Sequence, residues 1–174
     1  MAHKNQKEYC ESVKIRHPEK FSNVRVLEIG SLNVNGSFRD LFKDCEYIGV
    51  DIVAGKDVDI VMKGHEYKDN KKYDVVCSGE CFEHDQYWKQ TIQNMINHTK
   101  KGGLLFFTCA STGRAEHGTR RTTGVHIWGT DPDYYYNISP EEFKETFDLD
   151  KIFNDYEVKY EGNSKDLYFK GIKK

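Results

Sequence analysis

Short apolar runs alternate along the chain with a longer-period pattern, and the two periods predict different elements. Residues 24–29 ("VRVLEI"), 46–51 ("EYIGVD"), 58–62 ("VDIVM") and 73–78 ("YDVVCS") are short, β-branched and bounded by turn residues, so they read as strands. In 37–42, Phe38, Leu41 and Phe42 recur at helical spacing and predict a short helix. Residues 85–99 give the clearest helix, with Trp88, Ile92, Met95, Ile96 and Thr99 on one face and "KKGG" at its expected end. "LLFFTCA" from Leu104 is apolar on both faces, as a central strand is. Residues 110–138 show no period. Ser139-Pro140-Glu141-Glu142 then combines a cap, a first-turn proline and two dipole-matched acids, predicting a helix to about Phe147. "IFNDYEVKY" and "DLYFKGIKK" read as two final strands joined by the turn "EGNSK". A helix before Pro18 opens the chain.

Helices alternating with apolar strands predict an α/β fold: a three-layer sandwich with a mainly parallel seven-stranded sheet and a C-terminal antiparallel hairpin as its edge. The 174 residues fit one domain. Within it we expect an N-terminal helical extension (1–21), a cofactor-binding core (22–109), a substrate lid (110–138) and a closing helix plus hairpin (139–174). In open sheets of this kind ligands sit beyond the carboxyl ends of the strands.

Composition narrows the class. Aromatic residues at 13% argue against a disordered chain, and a net charge of −2 provides no general attraction for nucleic acid. Five cysteines without a CxxC pair read as reduced thiols of a cytoplasmic protein rather than as disulfides or a zinc site. The N-terminus is polar, unlike a signal peptide, and no apolar run approaches a membrane span.

The chemistry concentrates after the first strand, in "EIGSLNVNGS". Gly30 permits a close backbone approach, and Gly36 precedes a short helix whose N–H groups favour an anionic group. Asp51, at the end of the second strand and 21 residues after Gly30, is placed to accept hydrogen bonds from a ribose diol. A nucleoside ligand is implied, either a dinucleotide or S-adenosylmethionine. The spacing is G-x5-G rather than G-x-G-x-x-G, and Glu28 stands before it. A carboxylate repels a pyrophosphate and attracts the ammonium of a methionine, so charge selects S-adenosylmethionine.

Over residues 22–109 the chain resembles the class I S-adenosylmethionine-dependent methyltransferases, in particular their small-molecule branch. "VLEIGSLNVNG" is similar to the family's first motif, "YIGVDI" to its second, "YDVVCSGECFEH" to its fourth and "KKGGLLFFT" to the approach to its fifth strand. The resemblance implies S-adenosylmethionine as cofactor and S-adenosylhomocysteine as product. It implies contacts from Glu28, Gly30, Ser31, Asn33, Asn35 and Gly36 in the first loop, Asp51 on the ribose and Ile52 against adenine. Ser78, Gly79 and Glu80 follow in the fourth motif. Two departures stand out. Asn33 or Asn35 occupies the turn where the family has a second glycine, and asparagine tolerates left-handed backbone. Lys63, followed by Gly64 and His65, stands where many relatives carry an aspartate near adenine.

The unpatterned segment after Cys109 holds the residues expected to meet the acceptor: Arg114, Arg120 and Arg121 as anion-binding forks, Trp128 and Tyr135 as stacking surfaces. A hydroxyl acceptor must lose a proton, and His117, then His126 or His84, are the candidate bases. Read alone, Glu83 at a helix start complements the dipole. No metal cluster is evident from spacing. The reading is a methyltransferase acting on a small polar acceptor, anionic ones included, at a sugar or metabolite hydroxyl. The alternatives are nucleic-acid methylation, non-catalytic cofactor binding and a nicotinamide oxidoreductase.

Overall fold

Seven strands make one sheet: β1 (Arg25–Ile29), β2 (Glu46–Asp51), β3 (Ile60–Val61), β4 (Tyr73–Gly79), β5 (Thr99–Ala110), β6 (Phe153–Glu161) and β7 (Asp166–Lys173). Their order is β3-β2-β1-β4-β5-β7-β6. The first five are parallel, and β7 runs antiparallel to both its neighbours. The computed structural model describes residues 4–122 and 133–174.

Alternation along each strand assigns the two faces. Val26, Val75, Leu104, Phe106 and Tyr168 point to one side, where α1 (Lys4–Arg16) brings Tyr9, Cys10 and Val13. Tyr9 stacks on Tyr168 with ring centroids 4.5 Å apart. Leu27, Val76, Leu105, Phe107 and Phe169 point to the other side. There they meet Trp88, Ile92, Met95 and Ile96 of α2 (Trp88–His98), Phe143 of α3 (Pro140–Thr146) and Leu149 of α4 (Leu149–Ile152). The result is the expected three-layer arrangement.

The differences from the sequence reading have local causes. Residues 37–42 form only one 3-10 turn, Phe38–Leu41, and β3 is two residues long. The second helix begins at Trp88 because Phe82–His84 makes a separate 3-10 turn. It stops at His98, and "KKGG" lies inside β5, not beyond a helix end: the β4–β5 register passes from Tyr73↔Thr99 to Val75↔Leu104, so these residues bulge from the ladder. The short α4 was missed, although Asp148 caps it by accepting from the Lys151 amide. The terminal hairpin forms the expected antiparallel edge, with its second strand on the inside. β7 is buried along six of its eight residues and inserts beside β5, while the half-exposed β6 takes the rim. Apolar surface on both faces favours the inner position.

One acid lies within the core. Glu28 is 5% exposed, and its Oε2 accepts a hydrogen bond from the Tyr47 hydroxyl at 2.7 Å. Burial pushes its carboxyl up from 4.5 to about 7, with the Tyr47 bond opposing that shift. The unfolded chain therefore loses this proton before the folded one does, and stability falls as pH rises from about 4.5 through 7.

Two outcomes follow. Glu28→Gln cannot ionise, so its unfolding free energy relative to the parent should rise by about 3 kcal/mol between pH 4.5 and 8, measured by urea unfolding. A pH-independent difference would show that Glu28 titrates normally. Phe169 packs against Phe107, Phe143 and Phe153 at centroid distances of 5.1–5.3 Å. Phe169→Ala should lose roughly 3–5 kcal/mol in the same assay.

Candidate active site

The strand order reverses between β1 and β4, the position at which open α/β sheets leave a crevice. Two loops line it here. Gly30, at φ +76°, follows β1 so closely beside the loop after β4 that a Cβ on it would stand 2.7 Å from Cys81 Cβ. Only glycine meets both the angle and the contact. Ser78, fully buried, lies beneath it.

The loop after β1 folds onto the loop after β2. Leu32 N–H donates to Asp51 Oδ2 at 3.0 Å, and Val53 N–H donates to Oδ1 at 3.1 Å. Each Asp51 oxygen keeps a second lone pair for a ligand hydroxyl. Burial pushes this carboxyl up, and the Leu32, Val53 and Ile52 amides hold it down in part. Asn33 donates to Asp57 at 2.6 Å and accepts from Gly36 N–H at 3.0 Å. Asn33 therefore fixes the turn through its side chain, and neither it nor Asn35 takes the left-handed backbone expected of them; Gly30 and Gly36 do. The Gly36 N–H is occupied by Asn33 Oδ1, and in the following turn Arg39 N–H is occupied by Ser37 Oγ. Ser31 is buried against Gly49, and Asn35 is exposed.

Beyond β2 and β3, Ile52 and Met62 are among the exposed large apolar side chains, at 37% and 38%. Next to them, Lys63 Nζ lies 5.6 Å from the Tyr87 ring centre, and the His65 ring lies 4.3 Å from the same ring. Gly64 sits where a Cβ would collide with Ile29 and Thr91.

A second group lies at the ends of β4 and β5. Glu83 and His84 do not open α2; they belong to the preceding 3-10 turn and are buried. His117 comes from one arm of the long loop and Tyr135 from the other. The His84–His117, His84–Tyr135 and His117–Tyr135 centroids are 5.2, 5.5 and 5.0 Å apart, all edge to face. His117 Nε2 is 3.9 Å from Glu83 Oε1. Burial, with a smaller contribution from the charge of His117, pulls His84 down to about 4, so it is neutral at pH 7. Burial pushes Glu83 up to about 7; the Glu83 and Ala110 amides offset this in part, without a well-aligned hydrogen bond to either oxygen.

Glu80, at φ +51°, was expected to touch the cofactor. Its carboxyl turns inward instead, and burial together with Glu83 and Asp166 raises it well above the usual range. Gly79 is filled in by the Phe38 ring, 2.7 Å from where a Cβ would be. Arg114 is likewise not a free fork for the acceptor: it donates to Ser164 O at 2.6 Å and to buried Asp166 at 3.3 Å. Arg121 is engaged by Glu116 and the Asp133 carbonyl. Arg120 is exposed, with its backbone N–H on Asp133. His126 and Trp128 lie outside the described residues.

Sequence reasoning thus found His84, His117 and Tyr135, which the fold brings together. It gave Glu83 only a dipole role, although the Glu80-x-x-Glu83-His84 run was visible, and it left Asp166 unmarked. No helix among the described residues is long and apolar enough to cross a membrane.

Comparison with known proteins agrees with this geometry. A family profile described as a methyltransferase domain matches residues 1–148. No curated protein matches by sequence. The DhpI–SAH complex superposes with a TM-score of 0.64 at 15% identity, covering 95% of this chain and 83% of that one. The Burkholderia thailandensis 1,6-didemethyltoxoflavin-N1-methyltransferase, bound to 1,6-didemethyltoxoflavin and S-adenosylhomocysteine, gives 0.64 at 10%, covering 94% and 76%. The N-methyltransferase NodS from Bradyrhizobium japonicum WM9, bound to S-adenosyl-L-homocysteine, gives 0.63 at 14%, covering 97% and 86%. At such identities the structural likeness is one of fold. The family match spans most of the sequence, and the chain belongs to the methyltransferase-domain family.

Proposed function

We propose that this chain transfers a methyl group from S-adenosylmethionine to a hydroxyl of a small polar acceptor. The observation that carries the reading is the pairing of two unlike groups across one crevice: Asp51 beside the glycine loop, and the Glu83–His84–His117–Tyr135 group beyond β4. The S-adenosylhomocysteine bound in structures of similar fold supports the cofactor.

The residues present fit the group. Asp51 accepts the ribose hydroxyls, Gly30 lets the backbone approach, and Ile52 with Met62 offers adenine an apolar face. Glu28 Oε2 is committed to Tyr47, which leaves Oε1 for the ammonium. When bound, the cofactor supplies a methyl already activated on a sulfonium, so the protein's task is alignment and exclusion of water.

The acceptor lies against the histidine group, between the arms 111–122 and 133–138 of the long loop. Its hydroxyl proton passes to that group or to water, its oxygen gains the methyl carbon, and the carbon–sulfur electron pair stays with sulfur as the thioether. Nitrogen is the second reading, favoured by the two N-methyltransferases of similar fold. Methylation of nucleic acid is disfavoured by the net charge and by the internal engagement of Arg114 and Arg121.

Calorimetry should detect one S-adenosylmethionine per chain, and Asp51→Asn should weaken it roughly tenfold or more, since a hydrogen bond to a charged group is worth about 1.5–3 kcal/mol. Absence of binding at millimolar ligand would refute the assignment. Once a metabolite pool has yielded an acceptor, His117→Ala should lower kcat by about 10²-fold or more with cofactor affinity preserved. An unchanged kcat would place the acceptor elsewhere, and mass spectrometry of the product decides between oxygen and nitrogen.

A further inference from the structure

We propose that Glu83, His84 and His117 form a binding site for one divalent first-row transition-metal ion, on the acceptor side of the crevice. The inference deepens the methyltransferase reading and rests on it for the site's purpose, although the metal site itself is argued from geometry alone.

Three observations converge. One ligand atom from each of the three side chains lies within 4.8 Å of the other two. Metal–nitrogen and metal–oxygen bonds of about 2.1 Å allow donors up to roughly 4.2 Å apart, so a small inward rotation closes the set. His117, whose side chain is 38% exposed, holds Ala115 O through Nδ1 at 3.1 Å, which turns Nε2 toward Glu83 as the ligating nitrogen. Second, both oxygens of the fully buried Glu83 lack a hydrogen-bond partner, as does Nδ1 of buried His84. Polar atoms left unmatched in the interior are costly unless a ligand completes them. Third, carboxyl groups crowd the site: Asp166 and Glu80 lie near enough to act on Glu83, with Arg114 as a counter-charge. A dication bound there compensates Glu83, whose oxygens have no partner of their own.

The donor set indicates the class of ion. Two imidazoles and one carboxylate suit Mn²⁺, Fe²⁺, Co²⁺ or Zn²⁺ better than Mg²⁺ or Ca²⁺, which prefer oxygen. Three protein ligands leave coordination positions open, as in catalytic rather than structural sites. An acceptor with a hydroxyl, especially one with two adjacent oxygens, fills them. The ion lowers that hydroxyl's proton affinity so that its proton is lost to water, a task otherwise left to an imidazole.

The test uses untagged full-length protein stripped with a chelator and dialysed. Titration calorimetry with MnCl₂, CoCl₂, ZnCl₂ and MgCl₂ should give one site, micromolar or tighter for the transition metals and at least tenfold weaker for Mg²⁺, with a matching rise in Tm. The Co²⁺ complex should show a visible d–d spectrum. His117→Ala and Glu83→Gln should each weaken binding by tenfold or more, while His17→Ala should not. His117→Ala sits at a partly exposed position, so its S-adenosylmethionine titration verifies the fold should Glu83→Gln unfold. Absence of a stoichiometric site at 1 mM metal, or binding unaffected by His117→Ala, overturns the proposal. Cofactor binding without metal binding sinks this site and leaves the methyltransferase reading; metal binding without cofactor binding does the reverse.

Discussion

Buried negative charge is the constraint that organises the carboxyl end of this sheet. Glu28, Glu80, Glu83 and Asp166 all lie there at low exposure or with carboxyl oxygens out of water. Folding cannot leave them as bare anions, because desolvation of an isolated carboxylate exceeds the stability of a whole domain. Each is compensated differently. Asp166 takes Arg114 and accepts from the Tyr168 hydroxyl. Glu28 takes the Tyr47 hydroxyl and holds its proton to about neutral pH. Asp51, nearer the surface, takes backbone amides. Glu83 is matched least: neither oxygen has a hydrogen-bond partner, and His117 Nε2 stands 3.9 Å from Oε1, beyond hydrogen-bond reach. This uneven compensation is what singles out Glu83 for the proposed metal site.

The same end of the sheet is assembled from segments far apart in sequence, and the loop's two arms show how. Ser111 hydroxyl donates to Ile138 O, Asn137 to Arg114 O, and the Arg120 amide to Asp133. Arg114 then pins one arm to the start of β7. These bonds determine where His117 and Tyr135 emerge. Tyr136 N–H on Glu83 O ties the other arm to the turn that carries His84. Insertion of β7 next to β5 is therefore more than a matter of packing, since it supplies the Asp166 that anchors the loop.

The sequence made the strands legible because their apolar residues alternate or run together in ways that a two-sided sheet requires. Glu46–Asp51 and Tyr73–Gly79 appear almost as expected. It also pointed to Asp51 and the Gly30 turn, since a left-handed glycine before a strand-end acid has few other uses. Side-chain direction was not legible. Glu80 and Arg114 sit in segments that face the crevice, yet both turn inward, and nothing in a linear pattern distinguishes a polar residue that meets a ligand from one that meets another loop. The arginines in particular read as free forks because their partners, Asp166 and Asp133, lie 52 and 12 positions away. Glu83 was undervalued for the opposite reason: its unmatched state is a property of the fold around it, not of its neighbours in the chain.

These inward commitments bear on the acceptor's charge. Anionic acceptors were included in the reading because three arginines lie in the loop, but Arg114 and Arg121 are engaged by acids or carbonyls of the chain itself. What remains beside the histidines is Glu83, with Glu80 and Asp166 behind it. An anion brought into that space would lose its hydration with Arg114 and Arg121 already committed elsewhere. Neutral polyhydroxylated acceptors would meet no such barrier, and the proposed stacking on Tyr135 would suit their apolar faces. An anionic acceptor fits the same space only with a cation already between it and Glu83. The charge of the substrate and the occupancy of the Glu83–His84–His117 group are thus a single physical question.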